Sequence, residues 1–466
     1  MKKLKDLKAE YDTVVIGGGL GGLTCANRLA QFGHSVLLVE QHKKLGGLAT
    51  WFKRKKHIFD VSLHGFPAGM VKTVRKYWSK EISNRIIPLK GIRFDNPQFN
   101  LTTTYDRKDF ITLLVEKFQV DHELVLKFFE HTKNMKFFDN DQQSTGELLR
   151  DFFGDRNDIV RLLMEPITYA NGSTLDDPAI SYGIVFSNFM DKGVFTFKGG
   201  TDLFIKLLES ELIKNSVDIR VNALAEEIIL DKDSKVAGIK INGQIIKTKS
   251  VVSNANLKTT LLEMVDSSKF SPTFLTKIKN VRINSSSCQV YIGLKKDVEL
   301  DYMGDLIFKS TAPQYSSDLM LAKKITSRTY SIYYPTLRDN YHLTSIVASS
   351  NARYEDWVNL SKDEYKQEKK ELAADTLEDL AGYIPDIEKL VDYVEVATPR
   401  TFERYTLHQG GSSFGTKFEG LEISRNLSSE LGGLFHTGSV AIIMSGWLGA
   451  ANYGVIVAND VDKYLS

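Results

Sequence analysis

The stretch YDTVVIGGGLGGLTCANRLAQFGHSVLLVE, Tyr11 to Glu40, decides how this chain is read. Tyr11 to Ile16 is an apolar, β-branched run that predicts a buried strand. Gly17-Gly18-Gly19-Leu20-Gly21-Gly22 then opens a predicted helix reaching about Phe32. Gly33-His34 turns the chain, and Ser35 to Val39 forms a second strand closed by Glu40. The frame Gly17-x-Gly19-x-x-Gly22 has a physical logic. Gly17 permits the tight turn, Gly19 lets the backbone approach a pyrophosphate, and Gly22 lets the helix pack closely on the strand. The first helical amides, Leu20 included, offer free N–H groups to phosphates. Glu40 stands at the end of the second strand, where a carboxylate can accept both hydroxyls of a ribose. A capped helix followed by a surface glutamate explains any one of these features, but not their agreement. Cys25, inside the helix, reads as a small packing residue.

Outward from this stretch, the composition is that of an ordinary globular protein. Of 466 residues, 42% are hydrophobic and 25% are charged, which excludes disordered and collagen-like chains. Lysine plus arginine is 60 against 58 acidic residues, a net +2 that gives no footing for a nucleic-acid polyanion. Cys25 and Cys288 form neither a disulfide framework nor a metal cluster, and the nine histidines show no metal-ligand spacing. A reducing cytoplasm is the expected compartment. Two segments imitate membrane signals. Lys2, Lys3, Lys5 and Lys8 precede an uncharged stretch, but its glycines make poor helix and favour strand and turn. Thr437 to Asn459 carries no charge, yet four glycines and Asn452 dilute it, and it reads as a buried strand–turn–helix. The protein is expected to be soluble or to touch a membrane from one side only.

Lys43-Lys44-Leu45-Gly46-Gly47-Leu48-Ala49 places a glycine pair soon after the acid. Here the chain resembles the flavoprotein superfamily of amine oxidases and phytoene desaturases, whose first flavin-binding stretch ends in such a pair. The resemblance implies FAD as cofactor. It continues through Phe59-Asp60-Val61-Ser62-Leu63-His64-Gly65, similar to the Phe-Asp-x-Gly segment of phytoene desaturases and carotenoid isomerases, with Ser62 in place of the glycine. His64 is similar to a histidine of retinol saturases. Gly193 to Gly200 followed by Thr201, Asp218 to Ile229 (containing Ala225), and Val251 to Asn256 match further segments in order, Leu257 replacing a proline. At the C-terminal end, Leu434 to Gly438 and Gly446 to Gly454 (with Gly449 and Ala450) resemble the segment that closes the flavin site. A helix start placed there would favour the negative charge of a reduced flavin. The alternative is a terminal helix that merely packs on the sheet.

The resemblance implies an α/β fold: a Rossmann-type FAD-binding domain, split in sequence, with an inserted α+β substrate domain. The cofactor domain is expected to comprise residues 1–70, 190–260 and 405–466, and the substrate domain 71–189 and 261–404. Helical periodicity marks Asp109 to Phe138 and Thr145 to Tyr169, strand-like runs mark Ser287 to Leu294 and Tyr330 to Tyr334, and a charged helix runs from Lys362 to Tyr383 before Pro385.

The cofactor-binding set is thus Gly17, Gly19, Leu20, Gly22, Glu40, Gly46, Gly47, Leu48, Ala225, Gly438, Gly449 and Ala450, with no metal. Flavin chemistry asks little of side chains, so the absence of a hydrolytic triad is no obstacle to catalysis. His64 is the candidate catalytic residue, able to exchange a proton as hydride moves, or else it orients its loop. Arg150 and Arg161 read as surface charges. Trp51 to His57 mixes aromatics with four cations, either a membrane-facing patch or a solvated hairpin tip. No second GxGxxG follows a strand, which leaves no dedicated NAD(P)H domain, and quinone and oxygen are the candidate electron partners. The implied function is an FAD-dependent oxidoreductase that desaturates, saturates or isomerises carbon–carbon bonds of an apolar, lipid-like polyene or isoprenoid, such as a carotenoid or retinoid. The alternatives are an amine oxidase and a non-catalytic flavin-binding protein at a membrane.

Overall fold

A computed structural model describes residues 7–61, 65–136, 143–441, 443–444 and 446–466. Ser62 and His64 lie outside the described residues. The first predicted strand is Glu10–Ile16, and the glycine turn leads into the helix Leu20–Gln31 and the strand Val36–Glu40. These two strands are parallel, with Val14 opposite Leu37. The segment expected to carry an adenine-side strand divides in two. Asp218–Val221 pairs parallel with Val36–Glu40, and Ala225–Leu230 starts an antiparallel ribbon with Val236–Ile241. The long strand Gln244–Ser253 then returns to the centre, parallel to Glu10–Ile16. Its first half pairs with Val236–Ile241 and its last residues with Leu434–His436. The outcome is a seven-stranded sheet assembled from three distant parts of the chain. Parallel strands covered on both faces must be apolar throughout, and all five residues of Val36–Glu40 are buried.

A second seven-stranded sheet has the order 391–397, 286–294, 345–352, 327–333, 306–310, 92–95, 100–103. It is antiparallel except where Leu306–Ser310 runs parallel to Ile92–Asp95. Strand Ser286–Leu294 is buried along its whole length, because one face meets the helix Lys362–Ala381 and the other turns inward. That helix starts at a capping box between Ser361 and Glu364. The periodicity at Asp109 to Phe138 becomes two helices. A π-helical turn at Leu113–Lys117 and a positive φ of 56° at Gln119 interrupt it before His122–Asn134, which Asp121 caps. Among the described residues no helix is long and apolar enough to cross a membrane.

Arg161 corrects the surface reading. It is 1% exposed, its guanidinium donates to the Ala312 carbonyl at 2.7 Å, and it stands 3.4 Å from Glu165, which is equally buried. Burial pushes the Glu165 carboxyl up to about 7. Helical periodicity placed Arg161 among apolar neighbours, but it could not show that Glu165, one turn later, goes inside with it. Arg150 is exposed as expected. The basic run folds as the hairpin Trp51–Arg54 and His57–Asp60, and it does not stand free. Arg54 pairs with Glu395 at 2.7 Å, Lys55 with Asp392 at 2.8 Å, and the buried His57 also meets Asp392.

A buried ion cluster ties the two sheets together. Arg338 donates to both oxygens of Asp60, at 3.0 and 2.8 Å, and to Asp202 at 3.2 Å. Asp60 also accepts from the amide of Thr201 at 3.0 Å. One guanidinium therefore joins the hairpin, the start of the helix Gly200–Lys214 and the turn after strand Ser327–Tyr333. The two carboxylates hold Arg338 firmly charged despite its burial. Arg338→Met leaves the carboxylate of Asp60 without its counterion inside the protein, and the expected cost is about 3–5 kcal/mol. Thermal unfolding of the variant measures this directly.

Candidate cofactor and active site

The turn between the first strand and helix is shaped by backbone touching backbone. Gly17 has φ +91°, and a Cβ at Gly22 would overlap the Gly17 carbonyl oxygen. Only glycine at Gly22 lets the helix sit this low on the turn. The helix begins at Gly19 with no side-chain cap and no acidic residue in its first turn, so its leading amides are open to an anion. The second glycine loop comes up against the first, the Gly46 amide donating to the Gly18 carbonyl at 2.7 Å. Asn254, at the end of the central strand, completes the cradle, its backbone amide donating to the Ile16 carbonyl at 2.7 Å.

Glu40 accepts from the Gly18 amide at 2.8 Å and from the His42 amide at 2.7 Å. Burial raises its pKa, while these two amides oppose the rise. Each oxygen keeps a second lone pair, so the carboxylate both braces the turn and can still accept hydroxyl groups.

A buried relay underlies the C-terminal part of the site. His436 donates from Nε2 to the Ala255 carbonyl at 3.0 Å, and its Nδ1 meets Ser424 Oγ at 2.9 Å, which is 2.6 Å from the Tyr453 hydroxyl. This joins strand Leu434–His436, helix Glu419–Glu430 and helix Gly446–Leu465 to the loop after Ser253. Burial pushes the His436 imidazole down to about 4, so it is neutral at pH 7. Trp447 stacks between Phe66 and Phe204, with ring centroids 5.0 and 4.8 Å away, and anchors the start of the last helix.

These elements open onto one cavity of about 770 Å³. One side is the glycine cradle with Glu40, Ala225 and Asn254; the other is the second sheet together with Ile184, Val185, Phe189 and Phe414. Leu48, Trp447 and Gly449 line the space between them. Of the predicted cofactor-binding residues, Gly17, Gly19, Leu20, Glu40, Gly46, Gly47, Leu48, Ala225, Gly449 and Ala450 all line it. Gly22 and Gly438 lie behind the wall. A Cβ on Gly438 would come 2.5 Å from the Ala255 carbonyl oxygen, so the chain is tightly packed there. His64 is outside the described residues, but Gly65, Phe66 and Pro67 after it line the cavity.

Several lining residues carry no local signal in the sequence. His408 is the histidine among the described residues that faces the cavity. Its Nδ1 donates to the Ser412 carbonyl at 2.9 Å, fixing the ring and leaving Nε2 as the acceptor. Burial lowers its pKa. Asn171, Gln289, Thr329, Ser349 and Asn351 form another unforeseen group. Only the sheet register reveals it. Among the described residues, no group of three or more His, Cys, Asp or Glu could hold a metal ion.

The arrangement fits an extended dinucleotide. The uncapped helix start suits a pyrophosphate, Glu40 a ribose, and the cavity continues well past both. Comparison with known proteins agrees. The family described as "Flavin containing amine oxidoreductase" matches residues 20–461. The prolycopene isomerase of Arabidopsis thaliana is 24% identical over 451 residues, covering 86% of this chain and 74% of that protein. The all-trans-retinol 13,14-reductase of Rattus norvegicus is 20% identical over 477 residues, covering 87% and 77%. A solved oxidoreductase from Methanosarcina mazei has the same fold, with a TM-score of 0.67 at 17% identity over 96% of this chain and 99% of its own.

Two outcomes follow from the geometry. Glu40→Ala removes the carboxylate that suits a ribose and the brace on the Gly18 amide, and flavin affinity is expected to fall by about 10-fold or more, read by titrating the apoprotein and following flavin fluorescence. His436 has a folded-state pKa below its ordinary value, so its contribution to stability is intact above about pH 6.5 and is lost as pH falls towards about 4. His436→Gln therefore loses less stability than the wild type between those pH values in urea unfolding.

Proposed function

From the chain's membership of the flavin-containing amine oxidoreductase family, we propose that it is an FAD-dependent enzyme that rearranges, adds or removes hydrogen at carbon–carbon double bonds of a long polyene or isoprenoid. The observation that carries this reading is the single continuous cavity. The cofactor cradle and an extended, largely uncharged chamber are parts of one space. Lining residues contributed by segments 169–189 and 287–351 include no Asp, Glu, Lys or Arg. A chamber without charge favours an apolar substrate and leaves an ammonium group without a counterion, which weighs against the amine oxidase alternative.

In this reading residues 1–70, 190–260 and 405–466 hold the cofactor, and 71–189 and 261–404 cover the substrate. Gly17, Gly19 and Leu20 bind the pyrophosphate through the open helix start, Glu40 binds a ribose, and Gly46 to Leu48 and Gly449 to Ala450 pack against the remainder. Flavin supplies hydride transfer. The chain positions the double bond, excludes water and handles the accompanying proton. His408 is held neutral with Nε2 unoccupied and can take that proton. His64, next to the cavity-lining Gly65, is the second candidate for the same role. Similarity to an isomerase and to a reductase supports chemistry at polyene double bonds and leaves the direction to the redox partner.

The test is to reconstitute the protein with FAD and supply phytoene, a poly-cis carotene and retinol, with the flavin oxidised or pre-reduced. Mass spectrometry then separates the outcomes: unchanged mass with a shifted spectrum for isomerisation, two hydrogens lost for desaturation, two gained for saturation. Peroxide release on adding amines, with every polyene untouched, would overturn the proposal in favour of amine oxidation.

A further inference from the structure

The inward face of the second sheet carries a pattern that a plain hydrocarbon does not need. In register, Gln289 of strand Ser286–Leu294 stands opposite Ser349 of strand Ser345–Ala352, and Ser349 stands opposite Thr329 of strand Ser327–Tyr333. Asn351 lies two residues along from Ser349, on the same face. The opposite face of the same strands is apolar, with Val290, Tyr330 and Ala348 in one hydrophobic cluster. Alternation has therefore placed neutral polar groups, and no charged ones, where the sheet meets the cavity.

These groups are buried and have hydrogen-bonding capacity to spare. Gln289 and Asn351 are each 4% exposed and Thr329 is fully buried. The Tyr291 hydroxyl contacts both the Val61 carbonyl and the side-chain amide of Gln289, which orients Gln289 and leaves the other end of its amide to a ligand. Asn351 donates to the Thr168 carbonyl at 3.1 Å, leaving its Oδ1 as an acceptor. The Thr329 hydroxyl has no hydrogen-bond partner, nor does the side-chain NH₂ of Asn171, which is 3% exposed and lines the same cavity. Buried polar groups left without partners are costly, so such a cluster persists where a ligand satisfies it.

We infer that this polar row binds a neutral oxygen function, a hydroxyl or carbonyl, at one end of the substrate. The inference rests on the polyene reading above and narrows it from hydrocarbons to their alcohols, aldehydes and ketones. The chemistry of the row selects this class. Asn171 donates, Asn351 accepts, the free end of the Gln289 amide joins them, and Thr329 and Ser349 do either, which suits a group that accepts and, as an alcohol, donates. A carboxylate would need a cation, and no Lys or Arg lines the cavity among the described residues. The distance from this anchor to the cofactor would then fix which double bond reacts, since the anchored end sets the register of the chain.

The experiment uses FAD-loaded protein and four ligands with one carbon skeleton: retinol, retinal, retinoic acid and the deoxygenated hydrocarbon. Binding is read from the perturbation of the flavin absorption spectrum, independent of turnover. The wild type is expected to bind the alcohol or aldehyde at least about 10-fold more tightly than the hydrocarbon or the acid, because the site's polar groups stay unpaired with the latter two. In Gln289→Leu and Asn351→Leu that preference shrinks towards unity while flavin content and melting temperature hold. Equal wild-type affinity for alcohol and hydrocarbon, or preference for the acid, overturns the inference even should both variants fail to fold. Loss of flavin from soluble Gln289→Leu would assign the row to the cofactor and also overturn it. If no member of the series perturbs the flavin but non-retinoid polyenes turn over, the anchor is refuted and the polyene reading stands. If no polyene of any kind binds or reacts, both fail.

Discussion

At the head of the first helix, three pieces of backbone meet at distances that exclude a side chain. Gly22 rests on the carbonyl of Gly17, and a Cβ on Gly21 would come 2.6 Å from the carbonyl of Thr437. The third piece, the Gly46–Gly47 loop, hydrogen-bonds to Gly18. An anion can be held here by amides alone, because nothing stands between it and the main chain. The first helix lies close to the last by the same means, through Gly454 against Gly21.

Charge has been kept away from the far wall of the cavity and placed in pairs around it. Arg338 is matched by Asp60 and Asp202, Arg161 by Glu165, and the basic hairpin by Asp392 and Glu395. The Arg338 and hairpin pairs fix one segment against another, while Arg161 and Glu165 balance each other one turn apart on the same helix. What remains on that wall is amide and hydroxyl, weak enough to release a ligand and directional enough to orient one.

The cradle was legible from sequence because its meaning is local. Gly17, Gly19, Gly22 and Glu40 fall within one strand–turn–helix–strand unit, so spacing alone fixes their relative positions. Gly46, Gly47 and Leu48 could be placed because a glycine pair soon after the acid resembles the end of the first flavin-binding stretch in the flavoprotein superfamily. Other residues were illegible for definite reasons. His436 acquires its role only through Ser424, Tyr453 and Ala255, which come from three separate elements. Gln289 and Thr329 share a face only because strand Ser345–Ala352 lies between their strands in one particular register. Arg161 looked like an exposed cation because a helix pattern reports periodicity and says nothing of a partner for the charge. Gly438, assigned to the cofactor by resemblance, stands where a Cβ would meet the Ala255 carbonyl, a closeness its sequence neighbours do not announce.

The seventh strand of the central sheet, Leu434–His436, and the helix Gly446–Leu465 lie far along the chain from the strand and helix that open the cradle. The helix abuts the first helix, and the strand pairs with the end of Gln244–Ser253. The groove is therefore complete only once segments far apart in sequence have closed long loops upon one another, which makes its assembly a demanding step of folding.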